Sequence, residues 1–168
     1  MNKLTAFNLT PDEFDKIRKL IHKKAGISMS DAKRSLVAGR LRKRLVALDL
    51  DSYEAYYQYL KKDQTGEMQR FIDLLTTNET WFFREERHFE YLTEFLQQQP
   101  KAKSLNIWSA ASSSGEETYS IAMTMAETMG VTSPWNILGT DISSRILDRA
   151  KKGIYMKSKI KGLSSPMK

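Results

Sequence analysis

A turn of small residues and a lone acid carry the first chemical signal in this chain. Leu105-Asn106-Ile107-Trp108-Ser109-Ala110-Ala111 reads as a buried strand, and Ser112-Ser113-Ser114-Gly115 as the turn that ends it. So little side chain lets a ligand approach the strand end closely. Asn136-Ile137-Leu138-Gly139-Thr140-Asp141 reads as a second strand ending on a carboxylate, 26 residues after Gly115. An acid there can accept two hydrogen bonds from ribose hydroxyls, and the separation is near the ~20 residues of dinucleotide folds. Strand, turn, helix, strand, acid, helix is the first half of a nucleotide-binding α/β unit. An ordinary βαβ turn with capping glutamates has the same pattern.

The turn is poorly suited to phosphate. A full GxGxxG is absent, and Glu116 and Glu117 follow Gly115 directly. They place negative charge at the helix N-terminus, where a phosphate would otherwise bind. A nucleoside without phosphates fits better. S-adenosylmethionine is one, an adenosine with a cationic sulfonium and an amino-acid end. Ser113 with Glu116, or Ser114 with Glu117, also has the spacing of a capping box.

A second constellation is Thr76-Thr77-Asn78-Glu79-Thr80-Trp81-Phe82-Phe83-Arg84-Glu85. Phe82 or Phe83 plugs a core at a domain junction. Asn78, Thr80 and Arg84 can point into a site, and Arg84 can hold a carboxylate as a charge-assisted, bidentate pair. His22 and His88, the only histidines, sit on amphipathic helices and read as structural rather than catalytic.

These residues need a scaffold, and periodicity supplies most of it. Thr10-Pro11-Asp12-Glu13 opens a helix with a capping box and a proline at its first position, and Gly26 stops it. Phe14, Ile17, Leu20 and Ile21 form its apolar stripe. A second helix is expected from Ser30 or Asp31 to Leu48, with Val37, Leu41, Leu45 and Leu48 inward. Lys33, Arg40 and Arg44 make a basic stripe beside them, flanked by Arg34, Arg42 and Lys43. That stripe is a solvated face, or it meets nucleic-acid phosphates or an acidic protein surface. A third helix carries Tyr53, Tyr56, Tyr57 and Leu60 at helical spacing, its tyrosines read as core or interface. A fourth, about 66–75, carries Met68, Phe71, Ile72 and Leu75. A helix at about 86–98 presents Phe89, Leu92, Phe95 and Leu96. One at 116–130 turns Ile121, Ala122, Met125 and Met129 inward, and a last one spans about 144–152.

Composition bounds the rest. The chain has 168 residues, 40% hydrophobic and 28% charged, ordinary for a globular protein. No apolar run nears the ~20 residues of a membrane span. The N-terminus has no apolar h-region, which argues against a secretory signal. The absence of cysteine excludes a disulfide scaffold, a cysteine nucleophile and thiolate metal sites, and points to a reducing, cytoplasmic setting. The net charge of +7 is uneven: residues 1–50 hold 12 Lys/Arg against 5 Asp/Glu, and residues 51–100 hold 5 against 10. A basic head and an acidic middle suggest surfaces with different partners.

TTNETWFFRE, WSAASSSGEETYSIAM, GTDIS and KKGIY, in this order and spacing, resemble the chemotaxis receptor glutamate methyltransferases, the CheR family. The resemblance runs over nearly the whole chain. It implies an all-helical docking domain at 1–75, a linking motif and helix at 76–100, and at 101–168 the first part of a Rossmann-like methyltransferase domain. It further implies S-adenosyl-L-methionine as cofactor and methyl transfer to glutamates of methyl-accepting chemoreceptor cytoplasmic helices. Carried over by motif, Asn78, Thr80, Arg84, Glu117 and Asp141 bind the cofactor, Asp141 at the ribose and Glu117 near the amino-acid end; Ala110 and Gly115 join them as the bounds of the small-residue turn that a ligand can approach. Arg84 also positions the reactants. Lys33, Arg40, Arg42, Lys43 and Arg44 dock the receptor. No metal, nucleic acid or membrane insertion is implied. The family commonly reads STGEEPYS where this chain has Ser113-Ser114-Gly115-Glu116-Glu117-Thr118-Tyr119-Ser120, so a rigid early-helix proline is lost. Only two strands are legible of a larger sheet, so the chain reads as a C-terminally truncated member. A non-catalytic docking module is the alternative reading, and a nucleic-acid-binding protein a weaker one.

Overall fold

The computed structural model describes residues 7–62, 65–160 and 163. The end of the basic tail after Tyr155 falls mostly outside them. The chain forms two compact units, Met1–Thr76 and Thr77–Lys168.

The first unit is built from local signals. Helix α1 (Pro11–Ala25) starts at a capping box: the Glu13 amide donates to the Thr10 hydroxyl, and the Thr10 amide donates back to the Glu13 carboxylate. It ends where Gly26 takes φ 68° and donates its amide to the His22 carbonyl. Helix α2 (Arg34–Ala47) begins later than expected. A 3-10 turn, Asp31–Lys33, comes first, and Ser30 contributes no side-chain cap. Helices α3 (Tyr53–Lys61) and α4 (Glu67–Leu75) complete the unit. Phe14, Ile17 and Ile21 of α1 meet Val37, Leu41 and Leu45 of α2, Tyr53, Tyr56 and Leu60 of α3, and Phe71 and Leu75 of α4. Each such side chain stabilises the unit by about 1.5–3 kcal/mol relative to exposure. Leu20, Leu48 and Met68 are only partly buried, packed at the rim of this core.

In the second unit, α5 (Glu86–Gln97), β1 (Leu105–Ala110), α6 (Glu116–Met129), β2 (Trp135–Thr140) and α7 (Ser144–Lys152) follow in order, with a 3-10 turn at Lys157–Ile160. The strands are parallel, Leu105 opposite Trp135 through Ala110 opposite Thr140. A parallel pair needs a crossover, and α6 is that crossover. Phe89 and Leu96 of α5, with Ile121, Met125 and Met129 of α6, cover one face of the sheet, where Ile107 and Ile137 lie. Phe95, expected inward, is exposed, because it falls off the arc of α5 that carries Phe89 and Leu96. On the other sheet face Trp108 and Leu138 stand paired and exposed. The second unit is therefore an α/β beginning of the Rossmann type, and the first is all-helical.

Candidate functional site

The parallel strands end side by side, and the turn after β1 meets the acid after β2. The Ser112 amide donates to the Thr140 carbonyl at 2.8 Å, continuing the ladder beyond Ala110. The Ser113 amide donates to Asp141 Oδ2 at 2.9 Å, and the Ser143 amide to Asp141 Oδ1 at 2.8 Å. Asp141 thus ties the turn to the start of α7. A carboxylate has about four acceptor positions. Two amides leave room for two further donors, as a pair of ribose hydroxyls requires.

The turn itself is strained. Ala111, Ser113 and Gly115 take φ of 61°, 50° and 95°, a region that side chains disfavour. Such residues persist where their surroundings over-determine them, and they cluster at ligand sites. The Ser113 hydroxyl is buried without a hydrogen-bond partner among the described residues. Buried polar atoms are normally paired, so this one marks a place for an additional polar contact.

The expected capping box does not form. Gly115 is the N-cap of α6, with no side-chain cap. The Ser113 amide is taken by Asp141, and the Ser114 hydroxyl donates to Glu116. The acidic start of α6 also differs from expectation. Glu116 is 0% exposed and receives Lys159 Nζ, so its charge is turned inward and neutralised. Only Glu117 offers an open carboxylate, held by the Ser109 hydroxyl at 2.8 Å. An anion in the first helical turn is favoured by the helix dipole, and this one is free to attract a cation.

The aromatic motif reaches the same helix. The Phe83 amide donates to the Ser120 hydroxyl at 2.9 Å, and the Phe83 ring packs edge-on against Phe89 at 5.0 Å. Phe82 meets Tyr155 edge-on at 4.9 Å. Asn78 and Thr80 are half-buried on the irregular segment before Trp81. Arg84 is exposed and engaged locally. It donates to the Glu79 carbonyl at 2.8 Å, and its guanidinium lies 4.8 Å from the Trp81 ring centroid, a cation–π geometry. The structure therefore joins Ala110, Gly115, Glu117 and Asp141 around one turn and holds Arg84 within its own segment. Both histidines are exposed on α1 and α5.

Sequence reasoning missed Ser109, Tyr155 and Lys159. The Tyr155 hydroxyl donates to the Ser114 carbonyl at 2.6 Å. Burial first, then the Glu116 charge and Tyr119, hold its phenol well above the ordinary tyrosine range. The signal for Tyr155 was the KKGIY motif itself, and Ser109 lies inside WSAASSSGEETYS, whereas the Tyr155 and Lys159 bonds, spanning 41 and 43 residues, leave no periodicity.

The basic residues of α2 and of the 3-10 turn before it divide into two sets. Arg44 forks onto Glu67, Nε to Oε1 and Nη2 to Oε2, both at 2.7 Å. Glu67 is 1% exposed and also accepts from the Tyr56 hydroxyl at 2.9 Å. Arg40 donates to the Leu75 and Thr76 carbonyls at 3.2 and 3.1 Å, closing the end of α4. Arg42 is half-buried beside Tyr53, while Lys33, Arg34 and Lys43 are exposed. Among the described residues no group of three or more His, Cys, Asp or Glu is placed to hold a metal ion, and no helix is long and apolar enough to cross a membrane.

Comparison with known proteins identifies the family. Residues 12–76 match the all-alpha domain of CheR methyltransferases, and residues 78–168 match their SAM-binding domain. The chain is 39% identical over 164 residues to chemotaxis protein methyltransferase 2 of Pseudomonas aeruginosa, covering 96% of this chain and 58% of that protein. It is 42% identical over 159 residues to the chemotaxis protein methyltransferase of Escherichia coli, covering 93% and 54%. For the chemotaxis protein methyltransferase of Borreliella burgdorferi the values are 37% over 173 residues, 96% and 61%. The chain spans little more than half the length of these relatives. With its helical unit and its strand-end turn matched in order by the two domains of one family, the chain belongs to the CheR methyltransferases.

Proposed function

We propose that this chain provides the docking domain and the cofactor-binding start of an S-adenosyl-L-methionine-dependent methyltransferase. Its substrates are glutamate side chains on chemoreceptor cytoplasmic helices, converted to methyl esters. The observation that carries this reading is Asp141, braced by the Ser113 and Ser143 amides beside the open carboxylate of Glu117. When bound, S-adenosylmethionine supplies a methyl group on a cationic sulfur, already activated for transfer.

The residues of the chain bind and orient. Asp141 holds ribose hydroxyls on its spare lone pairs. Glu117 pairs with the ammonium of the amino-acid end. Ala110 and Gly115 give close access to backbone, and Asn78, Thr80 and Arg84 contribute from the aromatic motif. A substrate glutamate has an ordinary pKa of about 4.3 and is an anion at neutral pH. No general base is needed, and positioning is the main task. Arg84 is the residue suited to steer that carboxylate. Lys33 just before α2, with Lys43 and Arg42 on it, meets the acidic receptor helices, and Arg40 and Arg44 shape the surface that presents them. The partner is a protein rather than nucleic acid, and the setting is the cytoplasm.

Calorimetric titration of S-adenosylmethionine and S-adenosylhomocysteine into the chain tests the reading. Saturable binding that disappears in D141A is the expected result. Absence of binding by a folded chain would overturn it. That outcome would favour a non-catalytic docking module, a reading that the two-stranded sheet with its exposed Trp108 face supports.

A further inference from the structure

The start of α6 is also gripped by residues late in the chain, apart from Asp141. The Tyr155 hydroxyl donates to the Ser114 carbonyl. Lys159 Nζ pairs with Glu116 Oε1, and the Ser114 hydroxyl donates to Glu116 Oε2. Phe82 and Tyr119 pack edge-on against the Tyr155 ring at 4.9 and 5.8 Å, which fixes where its hydroxyl points.

We propose that Lys159 and Tyr155 are positioning residues of the cofactor site, holding the 111–115 turn through Glu116 and Ser114. The assignment rests on the cofactor reading above. Ala111 and Ser113 have positive φ, and strained residues stay in place only when tethered from several sides. On the sheet side the tethers are the Thr140 carbonyl and Asp141. Two further tethers are Tyr155 and the Lys159–Glu116 pair. A fully buried carboxylate is tolerated when a partner neutralises it, and removing that partner leaves an uncompensated charge. Loss of Lys159 therefore acts on Glu116, and through the Ser114 bond on the turn. Tyr155 acts on the Ser114 carbonyl directly. Neither residue needs to touch the cofactor.

The test compares K159M, K159R and Y155F in the full chain by two readouts. One is affinity for S-adenosylhomocysteine. The other is amide hydrogen exchange at Ser112–Gly115 without ligand. K159M is expected to weaken affinity about tenfold, the effect of one charge-assisted bond, and K159R to restore most of it. Y155F keeps the ring contacts, so it is expected to speed exchange at the turn while the rest of α6 stays protected. Unchanged affinity and exchange in both K159M and Y155F would overturn the proposal. So would exchange that rises uniformly along α6, which is the mark of a merely structural role. An unmodified chain that binds no ligand would sink the cofactor reading instead. The exchange pattern, read without ligand, tells that failure apart from this one.

Discussion

Gly115 lies against Tyr155 so closely that a Cβ on the glycine would stand 2.9 Å from the tyrosine hydroxyl oxygen. The Ala150 Cβ and Cα would be 3.0 and 3.1 Å away, and the glycine φ is 95°. Two independent penalties thus fall on any side chain at this position, steric and conformational. G115A should destabilise the second unit by at least ~1–2 kcal/mol, the usual cost of a side chain in left-handed backbone. Cofactor binding should fall with it. Chemical denaturation followed by near-ultraviolet signals reads the stability, and an unchanged midpoint would contradict the packing described.

Asp141 supports a sharper prediction. D141N keeps the shape but places an amide NH2 where the Ser113 or Ser143 amide donates. One donor must then face another. The loss of a charged hydrogen bond costs about 1.5–3 kcal/mol, and the same change removes an acceptor proposed for the ribose. Calorimetry should show S-adenosylmethionine binding weakened at least about tenfold, and equal affinity would exclude Asp141 from the site.

Arg44 and the exposed Lys33 and Lys43 should behave differently. R44A leaves the Glu67 carboxylate, 1% exposed, without its bidentate partner. Breaking a buried pair from one side costs about 3–5 kcal/mol. Replacing both members, as in R44M/E67M, should cost much less. Lys33 and Lys43 are exposed, and surface changes there stay within about 0.5 kcal/mol. K33E/K43E is therefore the clean test of docking. It should weaken binding to acidic receptor helices and reduce its salt dependence while leaving cofactor affinity intact. Unaltered receptor binding would remove these lysines from the interface.

Acid should loosen the helical unit through identifiable groups. Hydrogen bonds from Lys19 and then Arg18 hold the Asp15 carboxyl below its ordinary range, and those from Lys16 and Gln58 do the same for Glu54. A carboxyl that ionises more readily in the folded chain binds protons less well there than when unfolded. Its stabilisation is complete above the unfolded value, near about 4, and is lost as pH falls through the lower folded value. Urea titrations at about pH 5 and 3 should therefore show a smaller acid-side loss in D15N/E54Q than in the unmodified chain. Equal losses would mean these pairs do not contribute.

What could be read from sequence was what is local. The capping box of Thr10 and Glu13, the stop at Gly26 and the 3.6-residue stripes of α1 to α4 all depend on neighbours within one turn of helix, and the structure has them. The strand-end turn and Asp141 were legible because a βαβ unit places them by topology. Failures came where a distant group took a donor or a charge first. Asp141 claimed the Ser113 amide that a capping box at Ser113 would have used. Lys159 neutralised Glu116, and Glu67 took up Arg44 across 23 residues. Periodicity marks which face of a helix is apolar. It cannot say that a polar residue on that helix has a partner elsewhere in the chain.

Trp108 is 68% exposed on the uncovered sheet face, beside Leu138. Its indole N–H donates to the hydroxyl of Thr140, the residue before Asp141. Water in contact with an indole shifts its emission to longer wavelength, and an apolar cover shifts it back. The chain thus carries an intrinsic fluorescent reporter at the strand ends. With Trp81 and Trp135 replaced by phenylalanine, the colour of the remaining emission would follow, in real time and without a label, the arrival of anything that settles on that face.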